Sequence, residues 1–172
     1  MDAIDSKLIT LLSENANMTA TEMSSIIGLS VPAVNKRISR MVEAGIISRY
    51  TVMIDPDTIG KPLLAFMSVI LERLSYIDHL MRCVNDDQDI LECFAVAGEF
   101  DYILKIRAKN MLDLENKICK IKEVQGVVKT NTTIVLYTHK SMPSVLPDAI
   151  EPKKSTPGTE KRNENGFKNG IS

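Results

Sequence analysis

The chain has 172 residues, 44% of them hydrophobic, with 21 Lys and Arg set against 22 Asp and Glu. Such a hydrophobic share supports a packed core and excludes a wholly disordered chain. The near-balance of charge excludes a polycation, so any nucleic-acid contact must come from a local basic patch. Cys83, Cys93 and Cys119 are odd in number and widely spaced, which fits neither a disulfide framework nor a zinc site. They are expected to be buried small hydrophobes in a reducing compartment. The opening residues lack a basic stretch followed by an apolar core, so no signal peptide is expected. The longest apolar-rich run, Leu63 to Leu71, is too short to span a bilayer. These features predict a soluble, cytoplasmic protein with no membrane partner.

In chain order, Ile4, Leu8, Leu11 and Leu12 recur at helical spacing, and Asp2 or Asp5 suits the N-terminus of that first helix. Thr19 and Glu22 have the spacing of a capping box opening a second helix, with Met23, Ile26 and Ile27 as its buried face. Gly28 ends it after about two turns, because glycine tolerates the positive φ of a helix C-terminus. Ser30 is placed as the N-cap of a third helix, Pro32 sits in its first turn, and Val34, Ile38, Met41 and Val42 form its inward stripe up to Gly45. Two short helices joined by a glycine-containing turn and propped by a preceding helix form a helix-turn-helix.

The polar face of the third helix carries Asn35, Lys36, Arg37, Ser39 and Arg40, opposed only by Glu43 at its far end. A local excess of positive charge is what a duplex attracts. Ser30, Pro32 and Ala33 lie in the first turn, close to base edges, and Asn35 suits adenine. Lys36 and Arg40 reach base edges or phosphates, and Thr19 at the start of the second helix joins the expected DNA-facing set. Arg37 lies beside the inward stripe, which leaves a phosphate contact and an internal salt bridge both open.

Ile46 to Asp55 alternates apolar and polar residues and predicts a linker strand, with Arg49 on it either bracing a phosphate or simply exposed. Breakers at Pro56 and at Gly60 to Pro62 set the expected domain boundary near residue 60. Beyond it, Leu63 to Arg73 reads as a strand and Tyr76 to Asn85 as a helix. Leu91 to Ala97 and Asp101 to Ala108 read as strands joined through Gly98, Glu99 and Phe100. Asn110 then caps a helix with Leu112, Leu114, Ile118, Ile121 and Val124 inward, and Val127 to Thr138 is the last strand. This β-α-β, β-α-β order is the ferredoxin-like arrangement. Its antiparallel sheet keeps one face uncovered, which predicts a homodimer through this domain. The expected fold class is therefore α+β. Residues 1–60 form a winged-helix-like helix-turn-helix with its linker strand, residues 61–140 a ferredoxin-like sensing and dimerisation domain, and residues 141–172 a flexible Pro- and Lys-rich tail without assigned function.

The chain resembles the Lrp/AsnC (leucine-responsive regulator/asparagine regulator) family of prokaryotic transcription regulators from Asp2 to about Lys140. The resemblance is carried by Asp2 and Asp5 with Leu12, by Gly28 through Met41 followed by Gly45 and Ile46, by Gly98, Asp101 and Tyr102 as a G-x-x-D-Y turn, and by Gly126, Val127, Thr130 and Thr132 in the final strand. Asn131 departs from the basic residue frequent in the family at that place. The resemblance implies double-stranded DNA as partner, dimers that assemble further, and an amino-acid effector bound near the turn and the final strand. On this chain that means Gly98, Asp101 and Tyr102 on one wall and Thr130, Thr132 and Thr133 on the other. Free backbone N–H groups of a turn suit a carboxylate, and an Asp with hydroxyls suits an ammonium. The alternative is that Gly98 and Asp101 only shape a hairpin while Tyr102 packs.

No catalytic set, cofactor loop or metal site is recognisable, and His79 and His139 are the sole histidines. A tetrapyrrole-modifying enzyme on the same fold is the weaker rival. An architectural DNA-organising protein of low specificity is the stronger one.

Overall fold

The computed structural model describes residues 1–148, which divide into two compact units, Met1–Tyr50 together with residues 144–148, and Thr51–Pro143. The tail expected from residue 141 lies outside the described residues from 149 onward.

The first unit is three helices: α1 (Ala3–Glu14), α2 (Ala20–Ile27) and α3 (Val31–Glu43). Each boundary has a local cause. The Asp2 carboxylate accepts from the Ile4 and Asp5 N–H groups while Asp5 accepts from the Asp2 N–H, a reciprocal box at the start of α1. Thr19 and Glu22 make the same exchange at α2. Gly28, at φ 78°, ends α2 in the left-handed region that favours glycine. Ser30 holds the N-cap position of α3, yet its hydroxyl caps nothing; its carbonyl accepts from Val34, and the Ser24 hydroxyl instead donates to the Leu29 carbonyl at 2.5 Å. At the far end, the Ile46 N–H bonds the Met41 carbonyl and the Gly45 N–H bonds that of Val42, which is the Schellman closure.

Leu8, Met23, Val34 and Met41 are the buried centre, with Ile4, Leu11, Leu29 and Ile38 packed around them. Ile26 and Val42, expected inside, are instead exposed at 47% and 43%. They flank their stripes rather than centre them, and three short helices do not wrap far enough to cover both flanks.

The expected strand from Ile46 to Asp55 does not form. The segment has no regular structure, and Tyr50, Val52, Met53 and Ile54 lie open to solvent. A strand needs a neighbour for its backbone groups, and this segment has no partner strand among the described residues.

The second unit runs β1 (Leu63–Leu71), a 3₁₀ turn at Leu74–Tyr76, α4 (Ile77–Asp86), β2 (Ile90–Ala95), β3 (Tyr102–Ala108), α5 (Met111–Lys122) and β4 (Val127–Ile134). The strands form one antiparallel sheet in the order β2-β3-β1-β4, the ferredoxin-like topology. The last strand stops four residues short of the expected Thr138. Directly opposite residues share a face, so register sorts the side chains. Ala65, Met67 and Val69 of β1, with Leu104 and Ile106 of β3, meet Leu80 of α4 and Leu114 and Ile121 of α5 in a buried core. Phe66, Ile70, Phe94 and Ile103 point to the other face, where Phe66 stays 37% and Phe94 49% exposed. Leu112, expected inward, is exposed in the first turn of α5, and Cys119, expected buried, is exposed on the same helix. Cys83 and Cys93 are half-buried and lie against the core, where burial pushes both thiols up from their ordinary pKa.

Two features brace this unit. Lys117 of α5 is almost fully buried, and its ammonium bonds Asp87 at 2.8 Å and Asp89 at 3.1 Å; Asp89 also pairs with Lys61 ahead of β1. Burial would depress the Lys117 pKa, but the two carboxylates outweigh it and raise it. Gly126, at φ 93° before β4, lies so close to Tyr76 that a Cβ would stand 2.3 Å from the ring.

Candidate nucleic-acid interface and effector corner

Helix α3 separates its residues cleanly. Val34 and Met41 are buried and Ile38 half-buried on one side. On the other, Pro32, Asn35, Lys36, Ser39 and Arg40 are exposed along a stripe of three- and four-residue steps. Ser30 is exposed at its start and Ala33 is half-buried. A 13-residue helix is about 20 Å long, enough to lie in a major groove about 12 Å wide. Among the described residues, Lys36 and Arg40 form no ion pair, so both charges face outward uncompensated. Thr19 is exposed, but its hydroxyl is engaged with Glu22 in the α2 cap at 2.8 Å. Its hydroxyl is therefore not a free donor.

Arg37 differs from the exposed stripe. Its Nη1 donates to Asp2 and to Asp5, both at 2.7 Å, so the guanidinium is turned back onto the N-terminus of α1. Of the two roles left open by the sequence, the internal salt bridge is the one formed. The Asp2 carboxyl is held below its ordinary pKa by the Asp5 N–H and then by Arg37, and the Arg37 pKa is raised by Asp2 and then Asp5. This arginine ties α3 to the start of α1, and sequence spacing alone gave no sign of its partners thirty-two and thirty-five positions away.

In the second unit the expected effector residues do not converge on one surface. Thr130 and Thr132 stand opposite Val69 and Met67, and Tyr102 opposite Val69, so these three belong to the helix-covered side. Thr133 stands opposite Phe66 on the uncovered side. Asp101 is tied into the fold: its Oδ2 accepts from the Leu71 N–H at 2.8 Å, its own N–H bonds the Val69 carbonyl, and its carbonyl accepts from Val96. The hairpin-shaping alternative therefore describes Asp101, and Tyr102 packs against the core. Gly98 is exposed, with nothing within 4 Å of where a Cβ would stand, so the turn presents bare backbone. The residues missed from the sequence are Glu99 and Lys129, whose side chains meet at 3.0 Å beside this turn.

A cleft of about 240 Å³ opens between α4 and α5, lined by Cys83, Asp87, Lys117 and Lys120 among others. It contains none of the expected effector residues, and its buried lysine is already satisfied. Among the described residues there is no group of metal-ligating side chains, and no helix is long and apolar enough to cross a membrane.

Comparison with known proteins gives a consistent picture. Residues 1–48 match the family model described as winged helix-turn-helix DNA-binding, and residues 64–145 the model described as Lrp/AsnC ligand binding domain. The HTH-type transcriptional regulator FL11 of Pyrococcus horikoshii is 34% identical over 140 residues, 81% of this chain and 92% of that protein. The HTH-type transcriptional regulator LrpA of Mycobacterium tuberculosis is 30% identical over 141 residues, 82% and 93% of the two chains. Among solved structures, the L-methionine complex of a Neisseria meningitidis transcriptional regulator superposes with a TM-score of 0.81 at 26% identity, covering 84% of this chain and 96% of that one. The feast or famine regulatory protein of M. tuberculosis, also complexed with L-methionine, gives 0.77 at 30% identity, covering 85% and 99%.

Proposed function

The chain belongs to the Lrp/AsnC family of transcription regulators, and we propose that α3 reads double-stranded DNA while the second unit senses a free amino acid. The observation that carries the DNA reading is the exposed stripe of Asn35, Lys36 and Arg40 on a helix whose opposite side is anchored in the core. Pro32 and Ser30 bring the first turn near base edges, Asn35 offers the bidentate amide that adenine accepts, and Lys36 and Arg40 take phosphates or guanine. Ala33 contributes close approach and Thr19 lies at the flanking helix start. Arg37 touches no DNA and holds α3 at its angle to α1.

The amino-acid reading draws on the two relatives solved with L-methionine. The uncovered sheet face, with Phe66, Ile70, Phe94 and Ile103, is the surface for a second copy, giving a homodimer with two reading helices and leaving the route open to larger assemblies. The protein acts in the cytoplasm, as a regulator without a catalytic step.

Binding at fixed salt to promoter fragments from the source genome and to random DNA tests the regulator reading. A preference above about tenfold for one natural promoter is expected, and a smaller ratio favours an architectural DNA-organising role instead.

A further inference from the structure

The ladder of the sheet holds the chain from Leu63 onward, where β1 pairs with Ala108. The chain is nevertheless fixed earlier than that. Residues 55–61 close on themselves. The Asp55 carboxylate accepts from the Asp57 N–H and the Thr58 hydroxyl, the Lys61 N–H bonds the Pro56 carbonyl at 2.7 Å, and Gly60 takes the turn at φ 73°. The end of that turn is fastened to the second unit at two points. The Arg107 guanidinium donates to the Pro62 carbonyl at 3.0 Å, and the Lys61 ammonium pairs with Asp89. Asp89 is held in turn by Lys117 at 3.1 Å, while its N–H donates to the Asp87 carboxylate and its carbonyl accepts from the Arg107 N–H. One residue ahead of β2 thus joins the approach to β1, the strand β3 and the helix α5. Just before Asp55 the situation reverses: Ser48 to Ile54 have no regular structure and make no backbone–backbone hydrogen bond among the described residues.

The Asp89 side chain is only 12% exposed and lies between two ammonium groups. Such a carboxylate is a firm anchor, because pulling an ammonium away leaves a poorly solvated charge behind. Where the connection is anchored matters to a protein that grips DNA with two reading helices. The second grip is intramolecular, and its effective concentration falls roughly as the −3/2 power of the tether length. We propose that the Lys61–Asp89–Lys117 bridge is a positioning clamp for DNA binding, which fixes where the connection leaves the second unit and so limits the tether of each reading helix to Ser48–Ile54. Without the Lys61 arm, only a single exposed hydrogen bond from Arg107 restrains residues 55–62. Those residues then join the tether, roughly double it and lower the effective concentration about threefold. Lys61, Asp89 and Lys117 touch no DNA in this role; they act through the placement of α3.

This inference rests on the DNA reading above, with its two-helix dimer, and the test separates the two. Dissociation constants of the full chain are measured at fixed salt for the preferred natural promoter fragment and for the same fragment cut to one half of its footprint. Lys61→Met should bind the whole fragment about threefold more weakly than the parent and the half fragment equally well. Asp89 keeps Lys117 in this variant, so the second unit stays folded. Lys61→Arg restores the pair and should bind both fragments as the parent does. A Gly/Ser insertion of about eight residues between Val52 and Met53, with Lys61 intact, lengthens the tether directly and should reproduce the same split between fragments. If Lys61→Met binds the whole fragment like the parent, or loses equally on both fragments, the clamp is overturned and the DNA reading survives. If the insertion leaves the whole fragment bound as tightly as before, tether length is irrelevant and the clamp is overturned again. If no natural promoter is preferred, or the parent binds whole and half fragments alike, both readings fall together.

Discussion

The two units are held together by different means. The first has four buried apolar side chains and depends on polar fastenings: two reciprocal capping boxes, a Schellman closure, and an arginine spanning two aspartates. The second has a core of twelve buried residues from three strands and two helices, with one buried lysine cluster at its rim. A thin core sets a helix bundle's stability but not its angles. In the first unit, therefore, the orientation of the reading helix is set by charges, and in the second the sheet is set by packing.

The largest expected effect lies in the thick core. Leu104→Ala, at a fully buried site, should cost about 2–5 kcal/mol in denaturant unfolding of the second unit. A cost below about 1 kcal/mol would mean that the core is not what holds that unit. Next comes the arginine. Arg37→Ala should lower both the melting temperature of the first unit and its affinity for DNA, while Lys105→Ala, which breaks an ion pair with Glu92 on the sheet, should leave melting unchanged. Lys36→Ala with Arg40→Ala should weaken DNA binding several-fold and flatten its dependence on salt concentration, whereas Arg37→Ala should weaken binding without changing that slope. An equal loss of slope in both would return Arg37 to the phosphates.

Acid and alkali should also separate the units. Asp2 and Glu22 have pKa values lowered in the fold, so the stability they add is complete above the ordinary carboxylate range and is lost as pH falls through their folded values. Lys117 is raised, so its share is complete below the ordinary lysine value and is lost as pH climbs through its folded value. Asp89 is lowered, because its bonds from Lys61 and Lys117 outweigh burial, and so weakens the second unit in acid as well. Thermal melts across the range should find the first unit losing stability only toward acid and the second toward both ends. The smallest effect has the opposite sign: Ser6→Ala removes a buried hydroxyl that has no partner and should add about 1 kcal/mol to the first unit.

What was legible in the sequence was whatever is decided locally. Asp2, Thr19 with Glu22, Gly28 and Gly45 each determine a helix end within a few residues, so the order and ends of the three helices were readable. The apolar and β-branched run of Leu63 to Leu71 and the alternation in Tyr102 to Ala108 exposed the sheet in the same way. The idle Ser30 hydroxyl and the exposure of Ile26, Val42, Leu112 and Cys119 are local departures, and the other failures are long-range. Ile46 to Asp55 has the alternation of a strand and no neighbour to pair with. Arg37 has its partners at the other end of the unit. One Asp101 carboxylate oxygen accepts from the backbone of a strand thirty positions away, and although the odd spacing of Thr130 and Thr133 already puts them on opposite sides of β4, only the register with β1 shows which side each takes.

The contact between Gly126 and Tyr76 has a consequence for how this protein can drift. Any side chain at 126 meets two separate obstacles, the aromatic ring and a backbone angle hostile to L-residues. Trimming Tyr76 to alanine clears the ring and does nothing for the angle. Descendants of this chain can therefore shed the tyrosine and keep the glycine, but they cannot do the reverse, and the order of those two changes in any lineage runs one way.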